Sequence, residues 1–399
     1  MWFPRRVWTG ALALVAVSAL AGTAAAAPAV AATSPAGVTV QPAGADAIVA
    51  AARDLVADMT VRERAAAVVM GHVPTTDAAA LRSYMESTRI GGFLLMGANI
   101  PDDDEAALRA LTAQLTIDPA LPPLIAVDQE GGDVSRLPWD TFPSALTLKG
   151  APAAAVQDAF AGRAALVRRA GIGVNFGVVA DETDDPASFI YRRVLGTTPD
   201  LAASSVAAAV TGEGGVAAST LKHFPGHGAT EADSHATIPA TPLSFDEWRA
   251  TDAVPFAAGI AADAPLLMFG HLAYTAVDPA PASLSAEWHR IAREDLGFTG
   301  IAVTDDLGML QSSGDPRYAD PAANAVAALA AGNDVVLTVV SSTADTAPAI
   351  VDAIVAAVDS GALPATRLEE AAERVTALRL RLAADGRGLV PCADCAPAG

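Results

Sequence analysis

The sequence predicts an α/β fold, a (β/α)8 TIM barrel forming a single catalytic domain, and three observations lead there. Short, nearly continuous apolar runs alternate with helix-length amphipathic segments eight times along the chain. The runs are rich in Val, Ile, Leu and Ala, which suits parallel strands buried on both faces. Five of them end in residues able to do chemistry, as expected of a barrel whose active site lies at the C-terminal ends of its strands. The alternative arrangement is a doubly wound open sheet.

The strands are expected at 67–73, 92–96, 124–128, 174–181, 217–223, 266–271, 301–305 and 334–339. Helical patterns fall at 77–87, 105–115, 153–170, 199–211, 245–262, 286–296 and 322–331. A final pair, 345–360 and 365–382, follows the eighth strand. Asp128 closes the third strand, Asp181 the fourth, Lys222 and His223 the fifth, His271 the sixth, and Asp305 and Asp306 the seventh.

The two ends of the chain read differently. Arg5 and Arg6 precede a short apolar core and small-residue cleavage sites, so 1–32 is expected to be a signal peptide and the mature protein to be secreted. The apolar core is too short to span a bilayer, and no cysteine near the cleavage site suggests a lipid anchor. Residues 33–45 form a Pro/Ala/Gly/Thr linker, 46–383 the catalytic domain and 384–399 a tail. The tail holds both cysteines, Cys392 and Cys395. A local disulfide is the plain reading of that C-x-x-C in an oxidising compartment.

With 25 basic and 45 acidic residues, the chain carries a net charge of −20. Such a charge repels nucleic acid and anionic membranes, which excludes both as partners, while a neutral sugar is indifferent to it. The chain is expected to act as a monomer.

The densest chemical signal is Lys222-His-Phe-Pro-Gly-His-Gly-Ala-Thr-Glu-Ala-Asp-Ser-His235. It holds three of the six histidines and one of the two lysines. The Pro-Gly and Gly-Ala steps make it a long loop leaving the fifth strand. Two readings compete. His223 and His227, with Asp233 or His235, offer the atoms of a zinc site, but the glycines and proline deny them a shared helical face. Alternatively, Asp233 orients His235 and favours its protonated form, giving a group able to donate and accept a proton near neutrality.

This loop resembles the signature of family 3 glycoside hydrolases of the β-N-acetylglucosaminidase type, K-H-F-P-G-H-G-D-T-x-x-D-S-H, departing from it at Ala229. The resemblance runs along the mature chain. Gly91-Gly-Phe-Leu-Leu-Met-Gly-Ala-Asn-Ile100 is similar to the family's second-strand motif, and Val127-Asp-Gln-Glu-Gly-Gly-Asp-Val-Ser-Arg136 to its D-x-E-G-G-R-V-x-R. Asp278-Pro-Ala-Pro-Ala-Ser-Leu-Ser285 matches D-P-x-P-A-S-L-S, Gly300-Ile-Ala-Val-Thr-Asp-Asp-Leu-Gly-Met309 resembles the nucleophile segment, and Ala330-Ala-Gly-Asn-Asp334 the A-G-x-D after it.

The resemblance implies a secreted retaining exo-β-N-acetylglucosaminidase acting on peptidoglycan fragments or chitooligosaccharides, without metal or cofactor. Asp305 maps onto the nucleophile, and a strand-ending carboxylate can carry a covalent glycosyl intermediate. Asp306 is the near rival, since side-chain alternation lets only one of the two point inward. In family 3 β-glucosidases the acid/base comes from a second domain. This chain ends soon after its eighth unit, so the role is expected to fall to His235, with Asp233 beside it. Asp128, Lys222 and His223 are expected to contact sugar hydroxyls, together with Arg136 and Arg193. Asp133 stands where the family has an arginine, and Arg193 lies in Arg192-Arg-Val-Leu-Gly196, where the family reads R-S-F-G. Phosphorolysis and a non-catalytic muropeptide-binding barrel are the alternative functions.

Overall fold

The computed structural model describes residues 44–101 and 104–386. The expected signal peptide, nearly all of the linker, and Cys392 and Cys395 lie outside the described residues.

Eight parallel strands form the main sheet. They are β1 (Val69–Gly71), β2 (Gly92–Leu95), β3 (Leu124–Val127), β4 (Val174–Val179), β5 (Ala218–Phe224), β6 (Leu266–Phe269), β7 (Ile301–Thr304) and β8 (Val336–Leu337). Neighbours in sequence are neighbours in the sheet, and β8 returns to pair with β1, Val69 opposite Val336 and Met70 opposite Leu337. A single parallel bridge, Val303 to Val335, brings β7 up to β8 and nearly closes the ring. The (β/α)8 expectation holds, and the open doubly wound sheet does not.

All eight strands are buried along their length, which explains their continuous apolarity. Leu94, Phe176, Met268 and Leu337 come from β2, β4, β6 and β8 and pack inside the barrel. Four side chains from alternate strands make up one interior layer of such a barrel. Val375, Leu378 and Leu382 of the helix Ala365–Ala384 join this interior core, and Leu382 lies against Gly173, just ahead of β4. The opposite end of the barrel carries the site.

Several boundaries differ from expectation for local reasons. Thr60 and Glu63 form a capping box that starts a helix at Val61, and this helix takes in Ala67, so β1 begins only at Val69. The helix expected over 245–262 is two helices, Phe245–Ala250 and Ala253–Ala261. Pro255 has no N–H and its ring excludes the carbonyl of Thr251, so one helix cannot run through. The segment expected as a helix over 286–296 is α-helical to Arg290 and a π-turn over Ile291–Asp295. β8 is shorter than 334–339, and Asp334 binds the guanidinium groups of Arg293, Arg367 and Arg374 at 2.7–2.9 Å.

Candidate active site

A pocket opens at the C-terminal ends of the strands. Leu94, Phe176, Met268 and Leu337, the apolar layer described above, contribute to its lining. The polar residues expected from sequence, Asp128, Arg136, Arg193, Lys222, His223, His235 and Asp305, all line it. Asp233 is adjacent, bound to His235.

The centre of the arrangement is Lys222, buried at the end of β5. Its ammonium lies 2.8 Å from Asp128 Oδ1 and 2.7 Å from Glu130 Oε1. Burial alone would lower its pKa, but the two carboxylates hold it above the ordinary lysine value. Glu130 stands on a short antiparallel hairpin, Gln129–Gly131 with Val134–Ser135, that follows β3. Arg193 grips it with two hydrogen bonds, Nε to Oε2 at 2.9 Å and Nη2 to Oε1 at 2.7 Å. Burial works against the Glu130 anion, yet Lys222 and Arg193 bring its pKa down to about 2. Arg193 is thus committed to Glu130, with its Nη2 also 3.3 Å from His223 Nε2. Arg136 lies further out, its Nη2 3.8 Å from Asp128 Oδ2.

Asp181 anchors the loop that leaves β5. Its Oδ2 is 2.7 Å from His223 Nδ1, and its Oδ1 accepts the backbone N–H groups of His223 and His227 at 3.1 and 2.6 Å. Tyr274 donates its hydroxyl to the Gly226 carbonyl at 2.7 Å, and Trp248 its indole N–H to the Pro225 carbonyl at 2.8 Å. The glycines make this course passable. A Cβ on Gly228 would fall 1.7 Å from the Glu182 carbonyl oxygen, and Gly226 has φ +135°. His227 is buried and lines the pocket, and burial brings its pKa down to about 4. The ring centroids of His223 and His227 are 6.0 Å apart and nearly perpendicular. Among the described residues, no group of three or more His, Cys, Asp or Glu converges to hold a metal ion.

Further along the loop the character changes. His235 Nδ1 lies 2.6 Å from Asp233 Oδ1, which also accepts the His235 backbone N–H at 3.0 Å. Both side chains are largely exposed, 61% for His235 and 49% for Asp233, so the ring nitrogen Nε2 remains accessible. Burial opposes the Asp233 anion, but the His235 amide and ring hold its pKa below the ordinary value.

The seventh strand separates two adjacent carboxylates. Asp305 lines the pocket and accepts the Asp306 backbone N–H at 2.8 Å. Burial disfavours its charge, but His223, His271, the Asp306 amide and Lys222 hold its pKa below the usual carboxylate value. Asp306 also borders the pocket, but its carboxylate is taken up by the fold. Its carboxylate accepts the backbone N–H groups of Gly308, Val339 and Val340 at 2.8–2.9 Å, capping the helix Leu307–Ser312 and fastening the loop after β8. Burial raises its pKa to about 6.

The sequence reading missed Glu130 and left Asp181 and His271 outside the site. His271 is buried, Nδ1 2.7 Å from Ser283 Oγ and Nε2 2.8 Å from the Asp306 carbonyl. The strand-end positions of Asp181 and His271 were the available signal. Asp133 binds Arg192 through two hydrogen bonds of 2.6 and 3.0 Å, which turns both away as an exposed pair.

Comparison with known proteins identifies the family. The family model described as glycosyl hydrolase family 3 N terminal domain matches residues 60–378. A β-hexosaminidase of Pseudomonas aeruginosa (strain LESB58) is 37% identical over 261 residues, 63% of this chain and 76% of that protein. One from Stenotrophomonas maltophilia (strain R551-3) is 36% identical over 247 residues, 58% of this chain and 71% of that protein. Among solved structures, a family 3 β-N-acetylglucosaminidase from Paenibacillus sp. str. FPU-7 superposes with a TM-score of 0.75 at 31% identity. The match covers 82% of this chain and 63% of that one. A β-N-acetylhexosaminidase from Beutenbergia cavernae gives a TM-score of 0.70 at 28% identity, covering 81% of this chain and 99% of that one. The chain belongs to glycosyl hydrolase family 3, as a glycoside hydrolase of the β-hexosaminidase type.

Proposed function

We propose that the protein is an exported, retaining exo-β-N-acetylglucosaminidase that removes terminal β-linked N-acetylglucosamine from chitooligosaccharides or peptidoglycan fragments. The observation that carries this reading is Asp305. It is a carboxylate at a barrel strand end, its pKa held below the usual value by nearby imidazoles, the Asp306 amide and Lys222, in a pocket with an apolar layer beneath it. A pocket at the mouth of a filled barrel suits removal of one terminal unit better than a cleft open at both ends.

In this mechanism Asp305 attacks the anomeric carbon while His235 protonates the leaving oxygen. The resulting glycosyl-aspartate is then hydrolysed by a water that His235 deprotonates. Asp233 fixes the ring so that Nε2 is the exchanging nitrogen and stabilises the imidazolium once formed. Asp128 and Lys222 supply an acceptor and a donor to adjacent hydroxyls, with His223 and Arg136 beside them. Arg193 acts on the sugar from its clamp on Glu130. Export rests on the leader at 1–32. Among the described residues no helix is long and apolar enough to cross a membrane.

The test is turnover of 4-nitrophenyl β-N-acetylglucosaminide against the matching β-glucoside, with proton NMR of the first-formed sugar. Preference for the N-acetyl substrate and an initial β-anomer are expected. An initial α-anomer removes Asp305 from the nucleophile role. Turnover that depends on added phosphate turns the reading to phosphorolysis.

A further inference from the structure

A small depression lies at the end of the barrel opposite the catalytic pocket, where the chain enters β2 and β3. Its walls are the end of the helix Ala78–Thr88, the loop at 117–123 and Arg379 of the helix Ala365–Ala384. Arg379 is only 9% exposed. Its Nε donates to the Pro122 carbonyl and its Nη2 to the Leu121 carbonyl, both at 2.8 Å. Its Nη1 has no hydrogen-bond partner among the described residues.

Other buried guanidinium groups in this protein sit on carboxylates. Arg163 meets Asp140 at 2.7 Å, and Arg193 meets Glu130 at 2.7 Å. No carboxylate is paired with Arg379 among the described residues. Two carbonyls satisfy donors without neutralising the charge, and an uncompensated buried charge is costly. Burial brings the Arg379 pKa down to about 10, with Asp118 opposing it, so the group is still a cation at neutral pH.

A second cation borders the same depression. Arg89 is exposed, and its Nε donates to the Glu86 carbonyl at 3.1 Å, while the Glu86 carboxylate is taken by Arg82 at 2.9 Å. Against these two arginines stands one lining carboxylate, Asp118, which accepts the Ala120 N–H at 2.9 Å. The local balance therefore favours one negative charge in a chain whose total charge is −20. The rest of the lining is apolar, with Ile90, Leu115 and Leu121 among it. The volume is about 60 Å³. One water needs roughly 10–15 Å³ of such space, so the depression suits about four to six non-hydrogen atoms. A planar guanidinium fork matches a carboxylate. Inorganic phosphate would bring a further negative charge toward Asp118 and leave the apolar wall unused.

We propose that this depression binds a short-chain monocarboxylate, its charged end on Arg379 and Arg89 and its hydrocarbon end against Ile90, Leu115 and Leu121.

The experiment is an NMR titration of the whole protein with sodium propionate. Saturable binding with a Kd on the order of 1 mM is expected, within reach of a five-atom ligand. Affinity should rise about threefold per carbon from formate to propionate, as each added carbon meets apolar wall. Arg379→Met should abolish binding. Arg379 also ties its helix to residues 121 and 122, so two exposed positions carry the test if that variant does not fold. Arg89→Glu should weaken propionate about fivefold, and Asp118→Asn should tighten it about twofold. Absence of saturable binding to the wild type overturns the proposal, as does propionate bound equally by wild type and Arg89→Glu. Inorganic phosphate bound more tightly than propionate overturns the monocarboxylate assignment.

Discussion

The backbone N–H of Asp306 donates to Asp305 Oδ1 at 2.8 Å, while the carboxylate of Asp306 itself is occupied by three backbone N–H groups. Both border the pocket, but the Asp306 carboxylate is engaged by the fold, and that of Asp305 accepts only the neighbouring amide among the described residues. Asp305→Ala should abolish turnover of every glycoside, because no covalent intermediate can form, and should leave the thermal melt close to wild type. Asp306→Ala should unpair three backbone donors, buried or nearly so, and each unmet group costs about 1–3 kcal/mol. A Tm drop of roughly 10 °C or more is expected by calorimetry. A stable Asp306→Ala protein without activity would reverse the assignment.

His235→Ala should show a dependence on the leaving group. A general acid contributes typically 10²- to 10⁴-fold when the departing oxygen needs a proton. Dinitrophenolate needs none, so glycosylation of Asp305 should remain fast and hydrolysis of the adduct become limiting. Stopped-flow should record a phenol burst, and mass spectrometry a trapped glycosyl-enzyme. Equal losses on activated and alkyl glycosides, with no adduct, would pass the role to His227, which is buried and lines the same pocket.

Glu130 should be one source of the stability lost in acid. Its folded pKa, about 2, lies below the ordinary 4.5, so its contribution is fully present above pH 4.5 and is lost as pH falls toward 2. Glu130→Gln should leave Lys222 and Arg193 less compensated and cost on the order of 3–5 kcal/mol at neutral pH. Denaturant titrations between pH 2 and 6 should then converge, the variant losing less than wild type on acidification. Parallel curves would show that Glu130 is not the group titrating.

Glu213 works in the opposite direction. It is fully buried beneath β4, accepts a hydrogen bond from Asn175 Nδ2 at 2.5 Å, and burial raises its pKa to about 8. A raised folded pKa gives stability that is present below about 4.5 and is lost as pH rises through 8. Glu213→Gln, neutral at every pH, should flatten that alkaline decline. Melts of the two proteins at pH 5 and pH 8.5 measure it, and an equal decline in both would mean that Glu213 is already ionised at pH 5.

Much of this molecule could be read from the chain alone. Strands buried on both faces leave unbroken apolar runs, and strand-end placement marks Asp128, Lys222, His223 and Asp305 as facing one rim. The break ahead of Pro255 was missed, the pattern over 245–262 being read as one helix, although a proline inside an apolar helical pattern was the signal for it. Other assignments needed three dimensions. Alternation along β7 says only that Asp305 and Asp306 point apart, and the choice is made by Val339 and Val340, 33 and 34 residues away. Glu130 looked like one letter of a motif until folding brought it Arg193, 63 residues on, and the ammonium of Lys222. Side-chain periodicity is a local property of the backbone and survives in the sequence. The pairing of buried charges is decided by which strand ends the closing barrel brings together, and that information exists only once the sheet has closed.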